Sequence, residues 1–367
     1  MAPQYFHHDS PFRRKIRMNA RREPAVWFPA VRAGTGADVF TQRLANALSE
    51  RGMQAEITWL PPRAEYAPWT VPIPAPPVWA NVVHVNTWLQ SRFLPKKMPV
   101  VATIHHAVHH PDAWPYKGTV RAAYHRFWIA PNERRVLRRA NRVVAVSRFV
   151  ADTATQTLIN LPIQVIYNGI DTDRYRPGNR QRSADEPFRL LYVGGWKRPK
   201  GVDLLAPIMR ELGNGFELRY TGGTKAERDR QDWPDNMHDI GRLETDAAVI
   251  AAMQDADALL FPSRSEGFGL VAAEAMACGL PVIAVQASSI PEIVEDGVTG
   301  ILCRQDDILM FANAARTLAH DGALFDQVAR NARNLAAQKF SIDAMCTAYE
   351  KVYAACIDNH PLVARPA

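Results

Sequence analysis

At 367 residues the chain exceeds what one hydrophobic core usually organises, so we expect two domains. Apolar residues make up 47% of the sequence and charged residues 22%, and no apolar run approaches the ~20 residues of a membrane-spanning helix, which excludes a disordered chain and a spanning one. The net charge of +7 is uneven: residues 1–185 hold 26 Lys and Arg against 12 Asp and Glu, giving +14, and the remaining residues, with 18 against 25, give −7.

The positive charge of the first half of the chain indicates what kind of partner the protein binds, and the residues near its start indicate where in the cell it lies. A positive field confined to one half suits an anionic partner, such as a phospholipid surface, an anionic acceptor or nucleic acid, although a solvated basic face would give the same count. The lysines and arginines before residue 23 are not followed by the apolar core of a secretory signal. The sequence therefore predicts a cytoplasmic location.

In the first half, short apolar runs alternate with longer amphipathic segments from Ala25 onward. This alternation is typical of β-α-β units and of a parallel sheet. A polar segment bounded by Gly178 and Pro187 then indicates a linker between domains. The predicted strands are 25–29, 82–85, 100–104 and 142–146, and the predicted helices are 39–49 and 149–157.

A second alternating series follows the linker. The chain is therefore predicted to be α/β, with two doubly wound Rossmann-like domains whose strands end at a shared cleft, where such sheets bind ligands. The predicted strands are 189–193, 216–220, 258–261 and 281–285, and the predicted helices are 201–212, 247–253, 270–278, 308–318, 324–338 and 342–357. Buried reduced thiols are expected at the four cysteines, which lack C-x-x-C spacing: Cys278, Cys303, Cys346 and Cys356.

The most informative segment is 261–285, FPSRSEGFGLVAAEAMACGLPVIAV. A strand ends at Phe261 and an Ala-rich helix begins near Phe268, so the N-terminus of that helix should open at the ligand-binding edge of the sheet. Its first backbone N–H groups and the helix dipole favour an anion there. The small residues Gly267 and Gly269 would let a pyrophosphate approach those N–H groups.

Two glutamates frame this turn. Glu266 would repel a phosphate, so its useful role is to accept hydrogen bonds from sugar hydroxyls, and Glu274 could accept those of the ribose diol. Alternatively, Glu266 is a first-turn charge that complements the helix dipole, and Glu274 is a surface residue. That alternative explains either glutamate alone, but not both of them with a Gly-Phe-Gly turn between.

These residues resemble the E-x7-E signature of the retaining GT-B glycosyltransferases of family four. The resemblance implies the GT-B fold, in which two Rossmann-like domains face each other across a cleft and the C-terminal one binds a nucleotide sugar. The first glutamate and the amides that follow it (Gly267, Phe268, Gly269, Leu270) would hold the donor sugar and phosphates, the second glutamate would hold the ribose, and no metal ion is required. The resemblance extends over most of the chain, through 34–36, 103–105, 145–148, 167–171, 192–201, 291–300 and 340–341.

The resemblance also places a diphosphate clamp in the loop 194–201, GGWKRPKG. Lys200 matches the lysine of the family, but Gly195 stands where the family usually has an arginine. We expect Lys197 or Arg198 to supply the missing cation, since two cations suit a dianionic leaving group. The alternative is that both side chains are simply exposed in a loop.

A histidine cluster, His105-His106-Ala107-Val108-His109-His110, follows the predicted strand 100–104. The family has a histidine there that hydrogen-bonds the donor sugar near the reacting carbon, and His105 takes that role by resemblance. If the segment were helical, its i, i+4 histidine pairs could instead bind zinc. Two Asp-x-Asp strings, at 171–173 and 255–257, are predicted to be capping or solvated residues rather than metal ligands.

The resemblance and the linker together divide the chain into four parts. We expect a basic extension at 1–24, an acceptor-side domain at 25–175, a nucleotide-sugar-binding domain at 176–340, and a helix at 341–358 that packs back on the first domain. In the acceptor-side domain, the turn Gly34-Thr35-Gly36 lies between a strand and a helix, so the backbone at Gly36 should approach the donor phosphates.

The resemblance therefore implies a hexosyltransferase that moves a hexose, with mannose favoured, from a GDP- or UDP-sugar to a hydroxyl of a growing glycan, lipid-linked or polysaccharide acceptor. A relative with a sugar phosphate acceptor, or a glycogen-type synthase or phosphorylase, is a second possibility, for which the chain is short and shows no evident pyridoxal-phosphate lysine. The alternative to an enzyme is a nucleic-acid-binding protein that uses its basic surface and has no transferase activity. The arginines at 134–142 have few aromatic residues between them, so we expect no nucleic acid and propose that they hold the protein peripherally on the inner face of an anionic membrane.

Overall fold

The computed structural model describes residues 23–116, 118–180, 182–183, 185–226 and 233–358. The predicted extension at 1–24 lies outside these residues except for its last two. Within them, the chain forms two six-stranded sheets, and every strand pair in them is parallel. The predicted α/β fold with two doubly wound sheets is confirmed.

The first sheet has the strand order β2-β1-β3-β4-β5-β6. The sequence missed β2 and β6 because β2 is a mostly half-exposed edge strand and β6 has only three residues. The strands are β1 (Val26–Val31), β2 (Ala55–Leu60), β3 (Val82–Asn86), β4 (Val100–Ile104), β5 (Arg142–Ala145) and β6 (Ile163–Val165). The helices are α1 (Gly36–Glu50), α2 (Arg63–Tyr66), α3 (Thr119–Tyr124), α4 (Ala130–Arg139) and α5 (Arg148–Thr157), with a π-helical turn at His125–Ile129 joining α3 to α4.

The second sheet has the order β12-β11-β10-β7-β8-β9, so the order reverses between β7 and β10 and their following loops meet at one point. The sequence missed β9 and β12. The strands are β7 (Phe188–Tyr192), β8 (Phe216–Tyr220), β9 (Met237–Asp239), β10 (Ala258–Phe261), β11 (Val282–Val285) and β12 (Gly300–Cys303). The helices are α6 (Val202–Leu212), α7 (Asp246–Gln254), α8 (Leu270–Ala277), α9 (Ile308–His320), α10 (Gly322–Lys339) and α11 (Ile342–Asp358).

Burial explains why the central strands are continuous apolar runs. Every residue of β4 and of β11 is buried, because helices cover both faces of a parallel sheet. The Ala-rich helix α8 is also buried along most of its length, since small side chains let it sit close to the sheet and to α10. This packing fixes the N-terminus of α8 at the edge where β10 ends.

The last helix, α11, packs on the first sheet. Its Tyr353 hydroxyl lies 2.7 Å from His84 Nδ1, and its Tyr349 hydroxyl lies 3.0 Å from Thr103 Oγ1. His84 Nε2 lies 2.7 Å from Thr103 Oγ1, so the buried polar groups satisfy one another. Burial lowers the pKa of His84 to about 3, which makes this imidazole neutral. Helix α11 therefore completes the core of the domain in which the chain begins.

The chain crosses between the two sheets twice, and the two crossings lie side by side. Ile170 N donates to Phe340 O at 2.7 Å, and Ile342 N donates to Ile170 O at 2.9 Å. Gly169 permits this approach, because a Cβ there would lie 2.7 Å from the Cα of Ile342. A change in the angle between the two domains must therefore pass through this paired segment.

The four cysteines are buried free thiols, as predicted. Burial raises the pKa of all four above the ordinary thiol value. Over the described ranges, no helix has both the length and the apolar character needed to cross a bilayer.

Candidate functional site

A cleft of about 1050 Å³ lies between the two domains, where the loops that follow β1, β4, β7 and β10 converge. Parallel strands present their C-terminal ends at one edge, so these loops come together although they are distant in sequence. Ten of the predicted site residues line the cleft: Gly36, His105, Lys197, Lys200, Glu266, Gly267, Phe268, Gly269, Leu270 and Glu274.

The turn before α8 is held in one conformation. Gly269 has φ +96°, a backbone conformation that residues with a side chain rarely adopt, so glycine is strongly favoured here. Ser288 Oγ accepts from Glu266 N at 3.1 Å, and Ser289 Oγ donates to Phe268 O at 3.1 Å. The turn therefore presents the first N–H groups of α8, which lack intrahelical acceptors, at the cleft.

Gly267 makes a close contact with the other domain that the sequence did not indicate. A Cβ on Gly267 would lie 2.0 Å from the backbone oxygen of His105 in the other domain. Ser147 Oγ donates to Gly267 O at 2.6 Å across the same boundary. The residue lines the cleft, and its lack of a side chain is needed for the approach of the two domains at this contact.

Replacing Gly267 by alanine should reduce turnover about 10- to 100-fold, because overpacking of about 1–3 kcal/mol would separate the two domains at this contact. Gly215→Ala is the matched control, since nothing lies within 4 Å of a Cβ built there. Steady-state turnover and thermal unfolding would be measured for both variants. Wild-type turnover in Gly267→Ala would show that the contact is not part of the active form.

Lys200 and Glu266 form an ion pair in the cleft, with Lys200 Nζ 2.7 Å from Glu266 Oε1. Glu266 therefore does not act as an isolated charge that complements the helix dipole. A lysine and a carboxylate held together in this way can each turn to a ligand group of opposite polarity.

The two other predicted cations, Lys197 and Arg198, lie in different places relative to the cleft. Lys197 lines the cleft, and its pKa is lowered by burial first and then by Arg121, Lys225 and Lys200. The side chain of Arg198 is 79% exposed and does not line the cleft. Arg121, on α3, also lines the cleft, and no motif in the sequence pointed to it. The site is thus a group of cations contributed by both domains, and Arg198 lies outside it.

Arg264, which the sequence analysis did not single out, fixes the loop that carries these lysines. It is almost fully buried, and its guanidinium pairs with Asp203 at 2.7 Å and with Asp306 at 2.6 Å. Its Nη1 also donates to the backbone oxygen of Arg198 at 2.6 Å. The loop after β7 is therefore tied directly to the turn after β10.

Glu274 is buried and is not the surface residue of the alternative interpretation. Arg43 Nη2, from α1 of the other domain, lies 2.8 Å from Glu274 Oε1. Burial raises the pKa of Glu274, while the charge of Arg43 and hydrogen bonds from Arg43 and Tyr175 oppose the rise. The sequence did not indicate this partner, because nothing in it relates α1 to α8.

His105 is buried at the edge of the cleft, and its Nε2 lies 2.7 Å from Asn86 Oδ1. An amide oxygen only accepts, so Nε2 carries the proton and Nδ1 is the acceptor of the ring. The pKa of His105 is held well below its ordinary value, mainly by burial and to a smaller extent by charge repulsion from His106 and His84. The ring is neutral and suited to hydrogen bonding rather than to supplying a charge.

The other three histidines of the cluster each contact a different residue. His106 packs against Trp88, His109 Nε2 lies 2.7 Å from Glu133 Oε2, and His110 packs against Phe149. In the part of the chain that the structure describes, no three His, Cys, Asp or Glu side chains form a group that could hold a metal.

Both Asp-x-Asp strings make structural contacts. Asp171 Oδ1 accepts from Asp173 N and Arg174 N at 3.2 and 3.1 Å. Asp255 pairs with Arg189 at 2.7 Å, and Asp257 Oδ2 accepts from Arg189 N at 2.8 Å. These carboxylates cap a turn and a strand end, as predicted.

Comparison with known proteins gives concordant results. Residues 187–321 match the family described as Glycosyl transferases group 1, and residues 78–174 match Glycosyltransferase Family 4. A glycogen synthase from Mycobacterium tuberculosis is 31% identical over 297 residues, covering 75% of this chain and 69% of that protein. Sucrose-phosphate synthase from Thermosynechococcus elongatus has a TM-score of 0.72 at 20% identity, covering 92% of this chain and 100% of its own. HepE from Anabaena, in complex with UDP and glucose, has a TM-score of 0.67 at 17% identity, covering 91% and 100%.

Proposed function

Because this chain belongs to the group 1, family 4 glycosyltransferases and is a nucleotide-sugar-dependent enzyme, we propose that it transfers a hexose with retention of configuration. The acceptor is a hydroxyl of a growing glycan, lipid-linked or polysaccharide molecule, and mannose is the favoured sugar. The observation that supports this most is the Lys200–Glu266 pair, which lies beside the N-terminus of α8 in the cleft. A cation, a carboxylate and free backbone N–H groups are what a sugar diphosphate requires.

In this proposal the diphosphate draws Lys200 away from Glu266, which then accepts hydrogen bonds from the donor sugar. Lys197 and the N-terminus of α8 stabilise the charge that develops on the leaving phosphate. The acceptor hydroxyl attacks from the face that the diphosphate leaves, and the leaving phosphate takes its proton. His105 Nδ1 accepts from a sugar hydroxyl, and Glu274 faces the ribose. No metal ion takes part in the proposed reaction.

Closure of the domains about residues 168–171 would exclude water from this cleft and limit hydrolysis of the donor. The contacts between Gly267 and His105, and between Arg43 and Glu274, both join the two domains. The turn before α8 makes the first contact and α8 itself makes the second, so closure and assembly of the donor site are one event in this proposal.

The proposed function is tested by thermal unfolding and turnover with UDP, GDP, ADP and their sugars, including GDP-mannose and UDP-glucose. A nucleotide present at 100 times its Kd should stabilise the folded chain by about 2.7 kcal/mol. Glycogen belongs among the acceptors tested, because the similar M. tuberculosis protein is a glycogen synthase. Activity should persist in excess chelator. Failure of every nucleotide to raise the Tm, together with no transfer, would reject the proposal.

We propose that Lys197 supplies the cation that the family has at Gly195. Lys197→Ala should lower kcat about 10- to 100-fold through loss of one charge at the leaving group, and the exposed Arg198→Ala should leave it unchanged. Nothing lies within 4 Å of a Cβ at Gly195, so the backbone there accepts a side chain, and Gly195→Arg should restore part of the rate to Lys197→Ala. A normal rate in Lys197→Ala would assign the second cation elsewhere.

Fewer arginines are available to bind a membrane than the sequence suggested. Arg134 donates to the backbone oxygens of Thr157 and Leu158, and Arg139 donates to those of three residues from Pro95 to Met98, so both arginines support the fold. The arginines of this cluster that are exposed to solvent are Arg135, Arg138 and Arg142.

Changing Arg135, Arg138 and Arg142 together to Gln should weaken binding to anionic liposomes about 100-fold, since each arginine near such a surface contributes about 1 kcal/mol. Co-sedimentation at low salt measures this effect, with neutral liposomes as the control. Wild-type binding should also weaken as salt screens the charges. If the wild-type chain ignores anionic liposomes at low salt, a soluble acceptor becomes the better explanation of the basic half.

A further inference from the structure

Arg43 connects the two domains at the ribose side of the cleft. Its Nη2 lies 2.8 Å from Glu274 Oε1 and 3.1 Å from the Tyr175 hydroxyl, and its guanidinium stacks 5.5 Å from the centre of the Tyr175 ring. The same Nη2 lies 3.5 Å from Asp246, which begins α7. Arg43 is thus held in a fixed position by groups from the second domain and from the first crossing.

One nitrogen of this guanidinium is not used by the protein. Arg43 Nη1 is buried, and within the described residues it has no hydrogen-bond partner. A buried charged donor that is left unpaired is costly, so native structures rarely retain one without a functional reason. Arg43 and Glu274 both line the cleft, which places this donor beside the carboxylate assigned to the ribose.

We propose that Arg43 is a nucleotide-binding residue, in which Nη1 donates to a ribose hydroxyl while Nη2 holds the Glu274 carboxylate toward the same diol. This inference rests on the proposed function. It adds that the ribose is held from both domains, although the nucleotide otherwise belongs to the second one. Arg43 therefore sets the preference for a ribonucleotide and couples its binding to the approach of the domains.

The inference is tested with ligands that lack one hydroxyl. Calorimetry gives the Kd of the nucleoside diphosphate that binds best among UDP, GDP and ADP, and of its 2′-deoxy and 3′-deoxy analogues. The wild-type chain should bind at least one analogue about tenfold more weakly than the ribonucleotide, the effect of losing one hydrogen bond to a charged group. In Arg43→Lys and Arg43→Gln, ribonucleotide binding should weaken about tenfold. The penalty for the analogue that lacks the hydroxyl bound by Nη1 should shrink, while the part of the preference that Glu274 supplies remains.

Arg43→Lys is the decisive variant, because it retains a cation for Glu274 but removes the second nitrogen. It keeps the test available if Arg43→Gln fails to fold. Arg51→Gln is the matched control: Arg51 lies just after the same helix and pairs with Glu350 of α11, away from the cleft. This control should keep the wild-type preference for ribose.

Two results would overturn the inference, and they have different consequences for the proposed function. A wild-type preference for ribose in both Arg43 variants would reject the role of Arg43 while leaving the proposed function intact. If the wild-type chain binds none of the nucleoside diphosphates, the proposed function fails and this inference fails with it.

Discussion

Lys200→Ala should lower kcat about 10²- to 10³-fold, the loss expected when one group that stabilises transition-state charge is removed. Lys200 faces the cleft and is paired with Glu266 at 2.7 Å, so in our proposal it moves to the phosphates as the donor binds. The alanine variant leaves Glu266 unpaired in the cleft, where its charge would also repel the diphosphate. We therefore expect both a slower chemical step and a higher KM for the nucleotide sugar.

Single-turnover and steady-state kinetics would separate these two effects. Lys225→Ala removes a nearby lysine that does not line the cleft and should change kcat little. If Lys200→Ala turned over at the wild-type rate, the diphosphate would not be bound at this loop. Lys200 would then not have the role of the family lysine that it matches in sequence.

Glu266→Gln should lower kcat/KM about 100-fold, because a neutral amide binds sugar hydroxyls more weakly than a carboxylate does. The substitution keeps the size of the side chain and frees Lys200 from its ion pair. Affinity for the nucleoside diphosphate without sugar should therefore be maintained or improved, while affinity for the nucleotide sugar falls. This difference distinguishes a sugar-binding role from a phosphate-binding one.

The control for Glu266 is Glu244→Gln, since Glu244 also lines the cleft but is exposed and has no role in the proposed reaction. Calorimetry with the diphosphate and with its sugar would be run on both variants. Equal losses for the two ligands in Glu266→Gln would place this carboxylate at the phosphates or in the fold, and its assignment to the sugar would be wrong.

Most of the fold could be predicted from the sequence because buried parallel strands are continuous apolar runs. Strands β4, β7, β8, β10 and β11 were found within one residue, whereas β2 and β9 are partly exposed and short runs such as β6 lack a distinct period. Strand β12, GILC, begins with a glycine that weakens the pattern. Local composition thus predicts the centre of a sheet better than its edges.

The predicted residues that line the cleft come from several loops, but only one segment carried its own geometry in the sequence. The turn around Glu266 could be placed at the edge of the sheet, since a strand and a helix bracket it. Two residues were missed because their partners are distant in sequence: Arg43, which reaches Glu274 from α1, and Arg264, which ties two loops together. Gly267 was selected for its approach to a ligand, but the group nearest to its missing side chain is His105 O of the other domain.

The path of the chain has a consequence for how the protein is made. The first sheet is built from the earliest residues, yet its core includes Tyr349 and Tyr353 of the last helix. On the ribosome, the apolar face around His84 is synthesised long before the segment that covers it. The second sheet is complete without residues from the beginning of the chain, so it can acquire its structure while the first still awaits α11. Of the two domains described, we therefore expect the one that is translated first to finish folding last.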